Sequence, residues 1–291
     1  MSRLFVLGNA GLDIGLDLPG LPQPGETLVG RAGGRAPGGK GLNQAVVAAR
    51  TGLVPVLFRA PIGDDPEGEH VARILAREPF ASLELPVLTA PTDLSILLVL
   101  PGGENAIVSA GDCAYALTAA DAAEFAALCA PGDWLLLQGN LLPAVTAAAT
   151  GAAKGRGAQV MLNTAPVSAG MASLLPLCDV VVANAAEAEH LAQGGAVHPA
   201  EGGMLIVTLG AEGCRVTRQD GVTQFPTPTV RARDTTGAGD TFCGVLAATL
   251  VAGRAIEPAI TAAQAAAALT VTRPGAFPSL PTGDELRHLV A

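Results

Sequence analysis

The sequence predicts an α/β fold: a doubly wound, mostly parallel sheet flanked by helices, with a small antiparallel β lid. Short β-branched or leucine-rich runs alternate along the chain with alanine-rich helical stretches. Most of the short runs are continuously apolar, as expected for parallel strands covered on both faces, and their alternation with helices predicts a doubly wound sheet. Two Gly- and Pro-rich regions without intervening helices, residues 13–39 and 93–111, predict the lid.

Six strands are expected in the main sheet, and six helices between them. The strands are LFVLGN near residue 5, VPVLFRAPIG near 57, DWLLLQGN near 135, QVMLN near 161, DVVVAN near 181 and MLIVTLG near 206. The helices are KGLNQAVVAART, EGEHVARILARE, TAADAAEFAALCA, PAVTAAATGAAK, GDTFCGVLAATLVAG and IEPAITAAQAAAALTV. The lid strands are LDIGLDL, ETLVGRAG, LSILLVL and ENAIVSA. No repeat or linker indicates a second domain, so residues 1–291 are expected to form one domain with the lid inserted in it.

Composition excludes several classes of function. The net charge of −9 comes without any Lys/Arg cluster, which argues against a nucleic-acid partner. No apolar run approaches the roughly 20 residues that cross a bilayer, and the N-terminus resembles a buried strand more than a signal peptide. Five widely spaced cysteines without a C-x-x-C pair favour a reducing cytoplasm over disulfides or zinc. An anionic ligand would therefore depend on backbone N–H groups and bound cations.

The first motif is GRAPGGKGLNQA, residues 34–45. It follows the phosphate-binding P-loop pattern as far as Lys40, but Gly41 stands where a hydroxyl residue would ligate magnesium. Lys40 and Asn43 are three residues apart on a helical first turn, so both can face one small polar ligand. A polyol would suit them as well as a phosphate; the alternative is a flexible glycine turn with a solvated lysine.

The second motif is RARDTTGAGDTFCGVLAATL, residues 231–250. The small-residue turn ending at Gly237 leads into an apolar helix, so the N–H groups of Ala238, Gly239 and Asp240 are expected to converge on one oxyanion. A carboxylate beside such an anion hole makes sense if Asp240 accepts a proton from an attacking hydroxyl. The alternative is that Asp240 only compensates the dipole of the helix.

Both motifs resemble the signatures of the PfkB (ribokinase-like) carbohydrate kinases, and the ribokinase branch is the nearest. The resemblance continues in LGNAGLDIGLDLPGLPQPGETLVG, NTAPV, VANAAEAEHL, VTLGAEGC and AAAALTVTRPGAFPSLP, so it spans nearly the whole chain. It implies an ATP-dependent kinase that uses Mg²⁺ and K⁺ and acts on the primary hydroxyl of a sugar. D-ribose is the first choice, with another pentose, a hexose or a nucleoside as rivals. Family members are often dimers, and exposed lid edges favour pairing, so a homodimer through the lid is expected.

The resemblance also implies roles for matching positions. Asp240 would be the base, with Gly237, Ala238 and Gly239 in the anion hole. The substrate residues would be Gly11, Asp13, Gly38, Gly39, Lys40, Asn43, Asn140 and Asp240, so the first motif would hold sugar rather than nucleotide. Asn184 and Glu187 match an N-x-x-E motif for magnesium and phosphate. The nucleotide site would include Gly239 and Gln264, with the segment Thr208, Gly210 and Gly213. The potassium site would use oxygens of Asp234, Thr236, Thr270, Arg273, Gly275 and Ser279.

Some positions depart from the family or have simpler explanations. Gly11 stands where an Asn is usual and Asn140 where an acid is usual, and both differences touch the sugar pocket. Gln264 replaces a His or Asn that contacts adenine, and the segment after His190 is too glycine-rich for the usual helix. Asn184 and Glu187 also fit a helix capping box, and a lone Asp13 is usually only an exposed strand residue. Two alternatives belong to other classes of protein. One is a sugar or nucleotide sensor that carries out no chemistry. The other is a Rossmann dehydrogenase, which would need a G-x-G-x-x-G motif that this chain lacks after its first strand.

Overall fold

The computed structural model describes residues 1–101, 105–193 and 199–291. The strands are β1 (Leu4–Leu7), β2 (Gly11–Asp17), β3 (Arg31–Gly38), β4 (Val56–Arg59), β5 (Ile62–Gly63), β6 (Ser82–Glu84), β7 (Val87–Leu88), β8 (Asp93–Val99), β9 (Asn105–Ala110), β10 (Trp134–Gln138), β11 (Gln159–Asn163), β12 (Val180–Asn184), β13 (Met204–Thr208), β14 (Cys214–Arg218) and β15 (Gly221–Phe225). The α-helices are α1 (Lys40–Thr51), α2 (Pro66–Leu75), α3 (Asp112–Ala116), α4 (Ala119–Ala126), α5 (Pro143–Gly155), α6 (Ala185–Gln193), α7 (Ala238–Val251), α8 (Ile256–Thr270) and α9 (Gly283–Val290).

The main sheet confirms the predicted fold class. Its strand order is β15-β14-β13-β12-β11-β10-β1-β4-β6, and every pair from β6 to β13 is parallel. All six strands expected from the sequence lie in this parallel part. The antiparallel edge formed by β14 and β15 was not anticipated. In β14 buried residues alternate with more exposed ones, and β15 is mostly exposed, so neither strand carries the continuous apolar signal of the central strands.

Helices cover both faces of the sheet and divide the core into two clusters. Alternate residues of β1 enter different clusters: Leu4 and Val6 pack under α1, α2, α7, α8 and α9, while Phe5 and Leu7 pack under α3, α4 and α5. Because side chains alternate along a strand, a strand covered on both sides has to be apolar at every position. This is the physical reason for the uninterrupted apolar run.

Close packing of α1 against α7 brings the two sequence motifs together. Gly244 of α7 faces the backbone of α1, where an added Cβ would lie 2.5 Å from the carbonyl oxygen of Gln44. A glycine there allows the two helices to approach closely. Their N-terminal turns, which carry Asn43 and Asp240, consequently lie side by side.

The predicted lid is present as a four-stranded sheet in the order β3-β2-β8-β9. Its two outer pairs are antiparallel, as expected, whereas the central pair β2–β8 is parallel. Parallel pairing follows because β8 is reached through a long crossover containing α1 and α2 rather than through a hairpin. Residues 26–30 of the expected strand ETLVGRAG are outside the strand, which begins at Arg31.

Helix α6 ends at Gln193, so only the first three residues of the segment after His190 are helical, and residues 199–203 form no helix. The glycine-rich part of that segment, residues 194–198, lies outside the described residues. The longest helix in the described chain, α8, has 15 residues. Among these residues no helix has both the length and the apolar character to cross a membrane.

Candidate active site

Asp240 lies in the first turn of α7 and is 7% exposed. Its carboxylate accepts hydrogen bonds from two neighbouring residues of α1: Asn43 Nδ2 donates to Oδ2 at 3.1 Å, and Gln44 Nε2 donates to Oδ1 at 3.0 Å. The helix begins after Gly237, whose φ of 81° is in the left-handed region that favours glycine. A buried carboxylate with two amide donors is thus fixed at a helix N-terminus, which favours its negative charge.

The expected anion hole is smaller than the sequence suggested. The amide of Ala238 donates to the carbonyl oxygen of Thr235 at 3.3 Å, because the small-residue turn closes on itself before the helix starts. The amide of Ala238 therefore does not belong to the set of free donors that the sequence predicted. The amides of Gly239 and Asp240 belong to the first helical turn, where backbone donors have no carbonyl one turn earlier in the helix. These two amides remain as the candidate donors to an anion.

Two adjoining cavities open beside this helix tip. The larger, about 470 Å³, has both polar and apolar walls and is named the polar cavity for the charged side chains among them. Its walls include Lys40, Asn163, Asn184, Glu187, Thr236, Gly237 and Asp240. The other, about 310 Å³, is mainly apolar and includes Ala211, Gly213, Val230, Phe242, Gln264 and Val271. Thr208, Gly210, Thr235 and Gly239 line both. A ligand with an apolar ring and a polyanionic tail would fit the pair, the tail pointing toward Asp240.

Gln264 is the main polar side chain of the apolar cavity. It is 5% exposed, and its Nε2 donates to the carbonyl oxygen of Phe225 at 3.0 Å and approaches Cys214 Sγ at 3.5 Å. A carbonyl oxygen can only accept, so the amide nitrogen must point toward Phe225. The side-chain oxygen is then the group left to accept a hydrogen bond from a ligand in the cavity.

Asp13 projects from the lid strand β2 toward the same region. Burial raises the pKa of its carboxyl to about 7, a hydrogen bond from Ser95 opposes that rise, and Asp240 and Lys40 act on it through space. Gly38 makes room for this side chain, since an added Cβ would lie 2.0 Å from Asp13 Oδ1. The carboxyl is therefore held against the first motif rather than exposed to solvent.

The first motif begins α1 at the edge of the polar cavity. Gly39 precedes the helix with φ 107°, and an added Cβ there would lie 2.9 Å from the carbonyl oxygen of Asn9. That carbonyl accepts the amide of Leu42 at 3.0 Å, which ties the helix start to the end of β1. Lys40 follows and lines the polar cavity. The loop thus places one cation and Asn43 between the lid and Asp240.

Asn184 and Glu187 form the capping box that the sequence allowed. Glu187 N donates to Asn184 Oδ1 at 2.8 Å, and Asn184 N donates to Glu187 Oε2 at 3.0 Å. Thr164 Oγ1 adds a third donor to Glu187 at 3.0 Å. The same two residues also line the polar cavity. The capping role and a ligand-binding role are therefore compatible, because the box fixes the carboxylate at the cavity wall.

The residues proposed for a monovalent cation lie in two loops joined by Asp234. Its Oδ1 accepts from Thr236 N at 2.9 Å and its Oδ2 accepts from Gly275 N at 2.7 Å. Burial alone would raise the pKa of Asp234, but these hydrogen bonds outweigh it and lower that pKa. No cluster of three or more His, Cys, Asp or Glu side chains suited to a metal occurs among the described residues. A cation here would be held largely by neutral carbonyl and hydroxyl oxygens, a donor set that fits a singly charged alkali ion.

The other three residues expected at the cation site are engaged locally. Thr270 Oγ1 donates to the carbonyl oxygen of Ala266 at 3.1 Å, Ser279 Oγ donates to that of Ala276 at 2.7 Å, and the Arg273 side chain pairs with Glu285. The side chain of Arg273 therefore points into an ion pair. Only its backbone carbonyl is suited to a cation.

Gly11 and Asn140 are the two positions of the expected sugar pocket that depart from the family, and they have different surroundings. Gly11 pairs with Asp93 across β2 and β8, and an added Cβ would lie 2.2 Å from the carbonyl oxygen of Asp93, so no larger side chain fits there without a shift. Asp93 is 5% exposed; burial raises its pKa to about 6, against hydrogen bonds from the amide of Ala114 and from Asn9. At the end of β10, the buried Oδ1 of Asn140 has no hydrogen-bond partner. Asn140 lies outside the residues that line the two cavities.

Sequence reasoning missed the amides that surround Asp240. Gln44, Gln138 and Asn163 are buried, and they connect to Asp240 and to one another by hydrogen bonds. A signal was present: Gln138 and Asn163 are the polar last residues of otherwise apolar strands, and Gln44 interrupts a buried stretch of α1. Polar residues at the carboxyl ends of parallel strands mark the usual ligand-binding edge.

Comparison with known proteins agrees with this geometry. The model of the pfkB family carbohydrate kinases matches residues 1–283. The chain belongs to the PfkB family of carbohydrate kinases. This family membership was predicted from the two motifs and is confirmed, together with the ribokinase-like α/β fold.

Individual relatives cover almost the full length of the chain. A ribokinase of Haemophilus influenzae is 35% identical over 98% of this chain and 97% of its own. A ribokinase of Bacillus subtilis is 30% identical over the whole of both chains. Among solved structures, a Thermotoga maritima ribokinase has a TM-score of 0.88 at 27% identity, covering 99% of each chain. An Arabidopsis thaliana ribokinase, solved in complex with ribose and ATP, has a TM-score of 0.83 at 27% identity, covering 100% of this chain and 99% of its own.

Proposed function

We propose that this carbohydrate kinase transfers the γ-phosphoryl group of ATP to the primary hydroxyl of D-ribose, forming ribose 5-phosphate. The observation that carries the proposal is the position of Asp240. It is a buried carboxylate at a helix N-terminus, at the wall of a polar cavity that continues into an apolar one. The polar cavity offers a surface for the acceptor hydroxyl and the transferring phosphoryl group, and the apolar cavity offers one for an adenine ring.

In the proposed reaction the sugar lies between the lid and the first motif. Asp13, Lys40 and Asn43 hold its hydroxyls, with the backbone of Gly38 and Gly39 allowing close approach. Asp240 accepts the proton of the attacking hydroxyl, whose oxygen forms the new bond to the γ-phosphorus as the bond to ADP breaks. The amides of Gly239 and Asp240 steady the charge on the transferring group.

The nucleotide occupies the two adjoining cavities. Adenine lies in the apolar cavity near Gln264, and the phosphates follow Thr208 and Gly210 toward Lys40. Asn184 and Glu187 would hold Mg²⁺ directly or through water, and that ion supplies charge neutralisation on the phosphates when bound. K⁺ would be held by oxygens around Asp234 and Gly275, where it orders the loops beside the anion hole.

The test is an ADP-release assay with ATP, Mg²⁺ and a panel of acceptors, with and without K⁺. Ribose is expected to give the highest kcat/KM. Deoxyribose, fructose, adenosine and other nucleosides form the comparison, since Gly11 and Asn140 favour a changed hydroxyl preference. Binding of sugar and ATP without ADP release from any acceptor would replace the kinase by a sensor. Transfer to another acceptor in preference to ribose would keep the kinase and change its substrate.

Three further parts of the proposal concern the working state of the protein. We propose that residues 1–291 act as one domain with the lid, and that two copies pair through the lid. The dimer is supported by an apolar row on the lid sheet: its register places Ile14, Ile96 and Val108 side by side on the face opposite Asp13. Val108 in this row is 64% exposed. Light scattering after gel filtration tests the dimer.

The unpaired cysteines, all buried, support a cytoplasmic location.

A further inference from the structure

We infer that Gln44 and Gln138 are positioning residues for the catalytic base: Gln138 orients the amide of Gln44, which holds Asp240 in the rotamer that receives the proton. The inference rests on the proposed kinase function. It starts from a continuous series of hydrogen bonds that crosses from β12 through β11 and α1 to α7, with a branch from β10. Gln44 and Gln138 are fully buried, so neither needs to contact the substrate.

The orientation of every amide in the series follows from one backbone carbonyl. Asn163 Nδ2 donates to the carbonyl oxygen of Val182 at 3.2 Å, which can only accept, so Asn163 Oδ1 must face Gln44. Gln44 therefore presents Nε2 to that oxygen, at 3.1 Å, and to Asp240 Oδ1, at 3.0 Å. Its own Oε1 then points to Gln138, whose Nε2 donates at 3.1 Å. Flipping any one amide would place two acceptors or two donors in contact.

Gln138 acts on Asp240 only through Gln44. Its Nε2 is committed to Gln44, and its Oε1 is buried without a hydrogen-bond partner. Gly8 leaves the space for that oxygen, since an added Cβ would lie 2.2 Å from it. A buried acceptor without a partner is unfavourable, so the oxygen end of Gln138 does not explain why the side chain lies here. The donor end of Gln138, directed at Gln44, is the part of the side chain that the series uses.

The two donors to Asp240 have different surroundings and therefore different roles. Asn43 donates to Oδ2 and belongs to the first motif at the sugar side, whereas Gln44 donates to Oδ1 from within the core. A carboxylate has about four acceptor positions. With Oδ1 held from the interior, a free position on Oδ2 is turned toward the acceptor hydroxyl. Loss of Gln44 would release rotation of the carboxylate without removing any group that touches the sugar.

The experiment measures phosphoryl transfer in single turnover, so that product release does not mask chemistry, together with KM for sugar and ATP. Gln44→Leu is expected to slow transfer about 10- to 100-fold, the range that loss of one hydrogen bond to a charged group corresponds to. KM for the sugar should stay within about threefold, because the sugar contacts remain. Gln138→Leu should slow transfer less than Gln44→Leu, and have no further effect in a Gln44→Leu background.

Gln44→Glu provides a second variant of the same shape, in case Gln44→Leu does not fold. One Glu oxygen still accepts from Gln138, while the other meets oxygens of Asp240 and Asn163 unless it is protonated. The activity of this variant relative to the natural protein should therefore rise as the pH falls, a response that a merely structural role would not produce. Thr150→Val is the matched control. It removes a buried hydroxyl that bonds within α5, and it should lower the melting temperature without changing transfer.

The outcomes separate this inference from the proposed function. If the natural protein phosphorylates no acceptor, the proposed function fails. If it is active but Gln44→Leu and Gln44→Glu transfer at nearly the natural rate with a natural pH profile, the positioning role is wrong. Independent, multiplicative effects of Gln44→Leu and Gln138→Leu would also overturn it, as would a change confined to KM.

Discussion

Replacing Asp240 by Asn removes the proposed base and keeps its shape. Transfer should fall by about 10²- to 10⁴-fold, the usual contribution of a positioned general base. The structure also sets the cost to folding. Asn43 and Gln44 both donate to this side chain, at 3.1 and 3.0 Å, so an Asn can accept from one of them and must turn its NH₂ group toward the other. The loss of one such bond costs about 1 to 3 kcal/mol, partly offset because no charge is buried.

The assay follows ADP release and, in parallel, ribose and ATP binding by calorimetry. Binding should persist in Asp240→Asn, because the residues assigned to both ligands are unchanged. Asp220→Asn is the matched control: it makes the same chemical change at an exposed residue between β14 and β15, and it should leave turnover unaltered. If Asp240→Asn kept more than about a tenth of the natural turnover, Asp240 could not be the base.

Four other predictions follow from the geometry and electrostatics of the site. Gly38→Ala places a Cβ 2.0 Å from Asp13 Oδ1, so KM for the sugar should rise at least tenfold in steady-state assays with little change in melting temperature. Burial raises the Asp13 pKa from 3.8 to about 7, so the folded protein binds more protons there than the unfolded chain. Stability to urea should therefore fall as the pH rises from about 4 to 7, and less so in Asp13→Asn. Gln264→Leu removes an acceptor for the adenine amine, which should raise KM for ATP about tenfold and leave KM for GTP little changed. Replacing K⁺ by Li⁺ should lower kcat, and Asp234→Asn should abolish that difference between the two ions.

The sequence predicted the elements of the fold well because they depend on local patterns. The six central strands carry short apolar runs, and α1, α7 and α8 are apolar, alanine-containing stretches of 12, 14 and 15 residues, longer than those strands. The pairing of β8 with β2 could not be predicted in the same way. Its parallel direction depends on the whole crossover from α1 through α2, which no local pattern in residues 93–99 records.

The sequence indicated Asn43 and Asp240 as candidate site residues but not the contact between them. Asn43 and Asp240 each stood at a helix start, yet the hydrogen bond between them joins positions 197 residues apart and depends on the packing of α1 against α7. The amide of Ala238 was expected to converge on an anion with those of Gly239 and Asp240, but it donates to the carbonyl oxygen of Thr235, a local contact that the sequence does not record. Gln44 was missed because an amide inside a helix has many possible partners. Its contact with Asp240 becomes evident only once Gln138 of β10 and Asn163 of β11 are placed beside it, because they take its other hydrogen-bonding positions.

The charge of the polar cavity explains why the site depends so heavily on backbone groups. Among its described lining residues, one cation, Lys40, is set against two carboxylates, Glu187 and Asp240. Side chains alone therefore repel a triphosphate, in a protein that is already acidic overall. The compensating charge has to come from the N-terminus of α7 and from metal ions that enter with the nucleotide. Among the described residues the side chains that donate to Asp240 are the neutral amides of Asn43 and Gln44, so no cationic side chain in that set competes with the sugar hydroxyl for its oxygens.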